Sequence, residues 1–346
     1  MTAGQELLGR LGIELPFLGA PMAGGPSRPG LVAAVGRAGG LGLLGAGYLR
    51  PAELQRDIAA TRQLGVPFGV NVFAPNPLPV DRAEFARYRQ QLAGDAARLG
   101  VELPAGEPVD DDDHFEDKMA LLLGDPVPLV SFTFGLPAVR LVAALRQAGT
   151  AVLLTVTSAE EARLAAELRP DGLLVQSFQA GAHYGTLTPH RLPPRLPLVE
   201  LLPAVRAVTE LPLIGAGGVA TAPDAAAAIA AGAAAVSAGT ALLRTPESGA
   251  SALHKAALAD PARAGTVLTR AFTGRPARAL RNGFTDRHSE AAPLGYPAVH
   301  HLTRPLRRAA AAAGDPERLH LWAGVSYRHA AELPAAEVVR ELTRLL

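Results

Sequence analysis

Eight short apolar runs recur along the 346-residue chain, most followed by a turn and then an alanine-rich amphipathic stretch. They are Phe17–Ala20, Leu41–Leu44, Phe68–Val72, Leu129–Phe132, Ala151–Thr155, Gly172–Val175, Leu213–Gly215 and Ala235–Ala238. Parallel strands need a crossover long enough to hold a helix, so this alternation predicts a parallel sheet. Eight units predict its closure into an α/β fold of the (β/α)8 TIM barrel type. The competitor is an open doubly wound sheet. It would be marked by an early GxGxxG loop with an acid about twenty residues on, and the chain lacks that signature.

Two segments break the rhythm. Residues 74–125 carry Pro75, Pro77 and Pro79, then two helical stretches around the acidic run Asp110–Asp113, and read as a helical insertion between the third and fourth strands. Four adjacent carboxylates point in several directions, so the run is expected to be a solvated loop or helix start rather than a metal site. From about 246 to 320 strand character is lost, and a small helical subdomain is expected beside the barrel of residues 1–245. Residues 321–346 are expected to return to the barrel wall. The subdomain could shape a pocket or the interface of a homodimer.

Composition excludes several function classes. The net charge of +1 gives nucleic acid no electrostatic footprint. Cysteine is absent, which removes disulfides, thiolate metal sites and cysteine nucleophiles. The nine histidines form no HxH or HxxxH cluster with carboxylates, so no metal is expected. No signal peptide and no long uninterrupted apolar window are seen, so the expectation is a cytoplasmic protein without a membrane partner. No GxSxG marks a serine hydrolase.

The chemistry concentrates at the ends of the runs. Ala216-Gly217-Gly218-Val219 and Ser237-Ala238-Gly239-Thr240 each follow a buried strand and place glycines where a helix should begin. Backbone N–H groups can approach an anion there and the helix dipole favours it, so the pair reads as the phosphate cradle that barrels build after their last two strands. Ala20-Pro21-Met22 ends the first strand, with a polarizable thioether suited to a flat ring. Asn71 and Gln176 end the third and sixth strands, with amides that can read the edge of a heteroaromatic ring. His183, in Gly181-Ala182-His183-Tyr184-Gly185, titrates near neutrality when unperturbed and projects from a loop of small residues. Ser131 and Phe134, in the segment Ser131 through Gly135 that ends the fourth strand, and Tyr184 are candidate substrate contacts. This inventory suits flavin mononucleotide (FMN) better than a nicotinamide dinucleotide, which needs a second nucleotide pocket.

Ala20 through Gly25, Ala38-Gly39-Gly40-Leu41-Gly42, Pro67 through Asn71, Ser131 through Gly135, Gln176 through Gly185 and Ala216 through Val219 together resemble the signature segments of the nitronate monooxygenases. Phe272 through Arg278 with Asn282, and Leu321 through Gly324, match further on and in order. The resemblance implies FMN held by Ala20, Pro21, Met22, Asn71, Gln176, Gly181, Gly217, Gly218, Ser237, Ala238, Gly239 and Thr240. It implies His183 as catalytic base or as anchor for the nitro group. It also implies oxidation of an alkyl nitronate by dioxygen through a flavin semiquinone, giving a carbonyl compound and nitrite. Ser177, Gln179, Ala182 and Val325 depart from the family pattern, and losing a carboxylate at Gln179 is expected to lower the basicity of His183. The alternatives are an FMN-dependent NAD(P)H reductase similar to the barrel-type enoyl-acyl-carrier-protein reductases, or a flavin-binding protein without catalysis.

Overall fold

The computed structural model describes residues 2–346 and closes the eight expected strands into a parallel barrel. β1 (Phe17–Gly19), β2 (Leu41–Gly45), β3 (Phe68–Phe73), β4 (Leu129–Thr133), β5 (Ala151–Val156) and β6 (Gly172–Gln176) pair in chain order. The two-residue β7 (Ala182–His183) leaves the barrel. β8 (Leu213–Ala216) and β9 (Ala235–Ala238) complete it, and β9 pairs back onto β1 in the register Phe17–Val236, Leu18–Ser237 and Gly19–Ala238. The barrel strands are buried almost throughout, as strands covered on both faces must be, which is why they read as apolar runs rather than alternating ones.

The two ends of the barrel are finished differently. At the N-terminal end the helix Ala3–Arg10 lies across the opening, fixed at its start by a capping box between Thr2 and Gln5. Its Leu7, with Leu11 and Ile13, packs on Leu18, Leu41, Leu43, Leu129, Leu153 and Ile214. At the C-terminal end the chain leaves β9, builds a roof over the mouth, and returns as the helix Ala335–Thr343. That helix packs between the wall helices Ala222–Ala230 and Pro29–Arg37.

The roof is not purely helical. β10 (Thr266–Thr269) and β11 (Ala277–Leu280) form an antiparallel pair, and β7 adds to β11 in the register Ala277–His183 and Arg278–Ala182. These strands escape a sequence reading because each is only four residues long and Ala277-Arg278-Ala279-Leu280 has weak intrinsic strand preference. The insertion also divides. The helix Phe115–Gly124 belongs to the barrel wall, where Phe115, Met119 and Leu122 join the outer core. Only Arg82–Gln91 and Ala93–Leu99 leave it: Phe85, Tyr88, Leu92 and Ala96 share one core with the roof residues Phe272, Phe284, Val299, Leu302 and Leu306. The acidic run is only partly solvated, because the Asp113 carboxylate takes the fully buried Lys118 ammonium at 2.7 Å and the Tyr48 N–H at 2.9 Å.

Candidate active site

Between the barrel mouth and the roof lies a cavity of about 610 Å3. It is lined by Ala20, Pro21, Met22, Asn71, Phe134, Gln176, Gly181, His183, Gly217, Gly218, Ser237, Ala238, Gly239 and Thr240, all nominated from the sequence. Ser131 and Tyr184 lie off this lining. The Ser131 hydroxyl is buried against Asn71, whose Nδ2 donates to it at 2.9 Å and to Thr133 Oγ1 at 3.0 Å. That arrangement fixes Asn71 and leaves its carbonyl oxygen as the group free for a ligand. Gln176 is spent on the histidine loop: its Nε2 donates to the His183 carbonyl at 3.1 Å and its Oε1 accepts the Gly185 N–H at 2.7 Å.

Gly217 and Gly218 take φ of 96° and 84°, a left-handed backbone that a side chain would strain. A Cβ on Gly217 would also lie 2.7 Å from Ser177 Oγ. Across from this loop, Ser237 Oγ is buried and has no hydrogen-bond partner in the protein. A buried orphan hydroxyl is costly unless something else bonds it. Bare glycine backbone beside such a hydroxyl therefore fits an anionic phosphate. The dipole contribution comes from one side only. The helix Ala222–Ala230 follows the first loop, whereas a single 3₁₀ turn, Thr240–Leu242, follows the second. Thr240 Oγ1 accepts the Gly324 N–H at 3.0 Å, tying the cradle to the last roof segment. Gly181 sits directly on that segment, where a Cβ would come within 2.6 Å of Ala323 C and Gly324 N.

His183 is held by the β7–β11 pairing and by a 2.9 Å bond between Nε2 and Thr273 Oγ1. Thr273 Oγ1 in turn donates to the Arg275 carbonyl, so the imidazole is the donor to Thr273 and Nδ1 keeps the lone pair. Phe134, Trp322, Tyr296 and Phe73 surround the ring at centroid distances of 5.3, 5.5, 5.7 and 6.4 Å. Burial first, then the Arg275 and Arg307 guanidiniums, push the imidazole down to about 3, so it is neutral at physiological pH. Gln179 is not among these causes. Its Oε1 accepts the Leu198 N–H at 3.2 Å, next to Gly218.

The roof contributes residues that the sequence reading did not single out: Thr273, His254, His300, Arg307 and His320. Thr273 falls inside the matching segment Phe272 through Arg278, but sequence offers little signal for the others, because Arg307 is one of many arginines and the histidines are scattered over helix and loop. Only the fold brings them together. Tyr48, from the loop after β2, stacks flat on His300 at 4.4 Å.

Residues 6–344 match the nitronate monooxygenase family model. The chain belongs to the nitronate monooxygenase family. It is 34% identical over 336 residues to a probable nitronate monooxygenase of Staphylococcus aureus strain Newman, covering 96% of this chain and 94% of that one. Among solved structures, the nitroalkane oxidase of Streptomyces ansochromogenes superimposes with a TM-score of 0.92 at 48% identity, covering 98% and 97% of the two chains. FabK from Thermotoga maritima superimposes with a TM-score of 0.77 at 27% identity, covering 98% and 94%. Membership of the nitronate monooxygenase family makes the chain a flavin-dependent oxidoreductase.

The departures from the family pattern now have positions. Ser177 donates to the Gly217 carbonyl at 3.3 Å and accepts the Gln179 N–H at 3.2 Å, clasping the two loops. Ala182 occupies φ of 61°, a left-handed conformation that costs a residue with a Cβ about 1–2 kcal/mol. Val325 is exposed and bonds Gln179 only through its backbone. Among the described residues, no helix is long and apolar enough to cross a membrane. None of their His, Asp and Glu side chains form a group of three or more that could hold a metal ion.

Proposed function

We propose that this protein binds FMN and uses dioxygen to convert alkyl nitronates to a carbonyl compound and nitrite. The observation that carries the reading is the pairing, across one cavity, of a phosphate cradle with a neutral imidazole in an aromatic chamber. In this assignment Gly217, Gly218, Gly239, Thr240 and the Ser237 hydroxyl hold the phosphate. Met22 would pack against the flavin ring and the Asn71 carbonyl would be its polar contact. Bound FMN supplies the one-electron chemistry with the nitronate and dioxygen.

The residues of the chain do the rest. Phe73, Phe134, Tyr296 and Trp322 keep bulk water from the reacting carbon. His183 presents a neutral ring whose Nδ1 lone pair is a weak base. Proton abstraction is most efficient when the base titrates near the working pH, so an imidazole held at about 3 is poorly matched to a carbon acid. The reading therefore favours nitronates that arrive already deprotonated, with the neutral nitroalkanes slower.

Mixing the purified protein anaerobically with propane-2-nitronate and, separately, with NADPH tests it. Expected are a flavin spectrum that responds to the nitronate and, once oxygen is admitted, nitrite release. Bleaching by NADPH with no response to nitronate would overturn the reading in favour of a reductase.

A further inference from the structure

The roof helix Ala298–Ala312 turns a cationic stripe toward the cavity. His300, Arg304, Arg307, Arg308 and Ala311 all line it, at the i, i+4, i+7, i+8, i+11 spacing of one helix face. A second face, with Val299, Leu302 and Leu306, packs into the apolar core of the roof. The cavity face therefore owes nothing to packing. Arg304, Arg307 and Arg308 are the only charged side chains on the lining among the described residues, and no Asp or Glu stands opposite them.

That placement works against the helix itself. Arg304 and Arg308 are like charges at i and i+4, with Arg307 at i+3, a spacing at which cations repel. The helix holds no acid of its own to offset them. Asp111, which His301 Nε2 holds at 2.7 Å, lies off the lining. Among the described residues, exposed Arg304 and Arg308 make no ion pair and no side-chain hydrogen bond. Arg307 lies behind them, only 7% exposed. Its partners are the Thr303 hydroxyl, the His300 carbonyl and ring, and the His320 ring, and burial keeps both imidazoles neutral. A buried guanidinium with no carboxylate beside it carries charge that the fold has not compensated. The whole chain carries a net charge of only +1, so the surplus is local to this mouth.

We propose that Arg304 and Arg308, backed by Arg307, form an anion guide that concentrates the nitronate at the cavity mouth and discriminates it from its neutral parent. It rests on the nitronate reading above and deepens it by naming specificity residues that His183, being neutral, does not supply. A cleft walled by one sign of charge raises the local concentration of an opposite ion and its rate of entry by about 10–1,000-fold, and a neutral nitroalkane gains nothing. The field reaches about 10 Å at moderate salt, so the guide needs no hydrogen bond to the seated substrate. Arg304 and Arg308 act before the reaction begins and are not catalytic residues.

The sole tryptophan, Trp322, lines the same cavity and so reports on ions that pass the mouth. The test is quenching of its emission in the flavin-loaded protein by iodide, by neutral acrylamide and by caesium, at low and constant ionic strength. Using the loaded protein counts the cofactor's own phosphate charge. The paired exchange Arg304→Gln with Arg308→Gln should cut iodide quenching about 3-fold or more, leave acrylamide quenching as it was, and raise caesium quenching. Arg304→Lys with Arg308→Lys should quench like the wild type, because charge and not guanidinium shape is at work. Both side chains are exposed, so these exchanges leave the core untouched. The KM for propane-2-nitronate should rise in the glutamine pair, with kcat changing far less and the KM for 2-nitropropane steady, and about 0.5 M NaCl should erase the difference. Equal iodide quenching in the wild type and the glutamine pair overturns the guide and leaves the proposed reaction standing. Loss of bound flavin in the glutamine pair also overturns it, by giving the arginines to the cofactor phosphate. Arginine-dependent iodide quenching in a protein that makes no nitrite overturns the reaction and leaves the guide standing.

Discussion

The two ends of the barrel are built from opposite materials. The N-terminal end is a plug of Leu7, Leu11, Ile13, Leu18, Leu41, Leu43 and Leu153. The C-terminal end holds His183, His254, His300 and His320, an uncompensated Arg307, an orphaned Ser237 hydroxyl and a left-handed Ala182. The histidines, Arg307 and the Ser237 hydroxyl are costs to folding that apolar side chains would avoid, and Ala182 carries backbone strain that glycine would avoid. One end supplies stability and the other spends it on chemistry, so substitutions at the two ends should separate stability from turnover.

The largest effect should come from the plug. Leu153→Ala removes a fully buried side chain and is expected to lower stability by about 2–5 kcal/mol in denaturant unfolding. The fraction that stays folded should keep its kcat. His183→Ala should do the reverse: with a neutral nitroalkane nitrite release falls about 100-fold or more, or about 2.7 kcal/mol in the barrier, while a pre-formed nitronate is oxidised with a much smaller loss and the unfolding midpoint drops less than in Leu153→Ala. Loss of stability in His183→Ala comparable to that of Leu153→Ala would erase the distinction between the ends.

Acid should sharpen it. Burial, reinforced for all but His254 by neighbouring cations, pushes His183 to about 3 and His254 to about 4, and holds His300 and His320 well below 6.5. The unfolded chain therefore takes up these protons first as pH falls. Their contribution is complete above about pH 6.5 and shrinks below it, by up to about 1.4 kcal/mol per pH unit for each histidine. Unfolding followed at pH 7.5 and pH 5 should show that loss, and a variant lacking one of these imidazoles should show less. The smallest expected change is Ala182→Gly. It relieves the left-handed backbone and should stabilise the protein by about 0.5–1 kcal/mol in the same assay.

The barrel was legible in the sequence because each strand is buried on both faces, so Phe17, Leu41, Phe68, Leu129, Ala151, Gly172, Leu213 and Ala235 each open a compact apolar run. The phosphate cradle was legible because glycine is demanded there by backbone geometry. The roof was not. β11 hides its pairing in Ala277-Arg278-Ala279-Leu280, and Arg278 is a buried residue that bonds the Phe178 carbonyl at 3.0 Å. Ser131 faces the same side as its register partner Asn71, but its hydroxyl is taken by that amide beneath the cavity, and Tyr184 lies off the lining. Arg307 carries no local mark. Its meaning lies in the absence of any acid near it, which only the folded chain reveals.

The shared core of insertion and roof has a consequence during synthesis. Tyr88 donates its hydroxyl to the Ala271 carbonyl at 2.6 Å, across 183 residues of chain. At about 5–20 residues per second, the helix carrying Phe85, Tyr88 and Leu92 waits roughly 10–40 s on the ribosome before Phe272 and Leu302 exist to cover it. The nascent barrel therefore displays a sticky apolar face throughout that interval. Slow codons placed after residue 99 would lengthen the exposure, and a chaperone that shields this one helix would raise the yield of active protein.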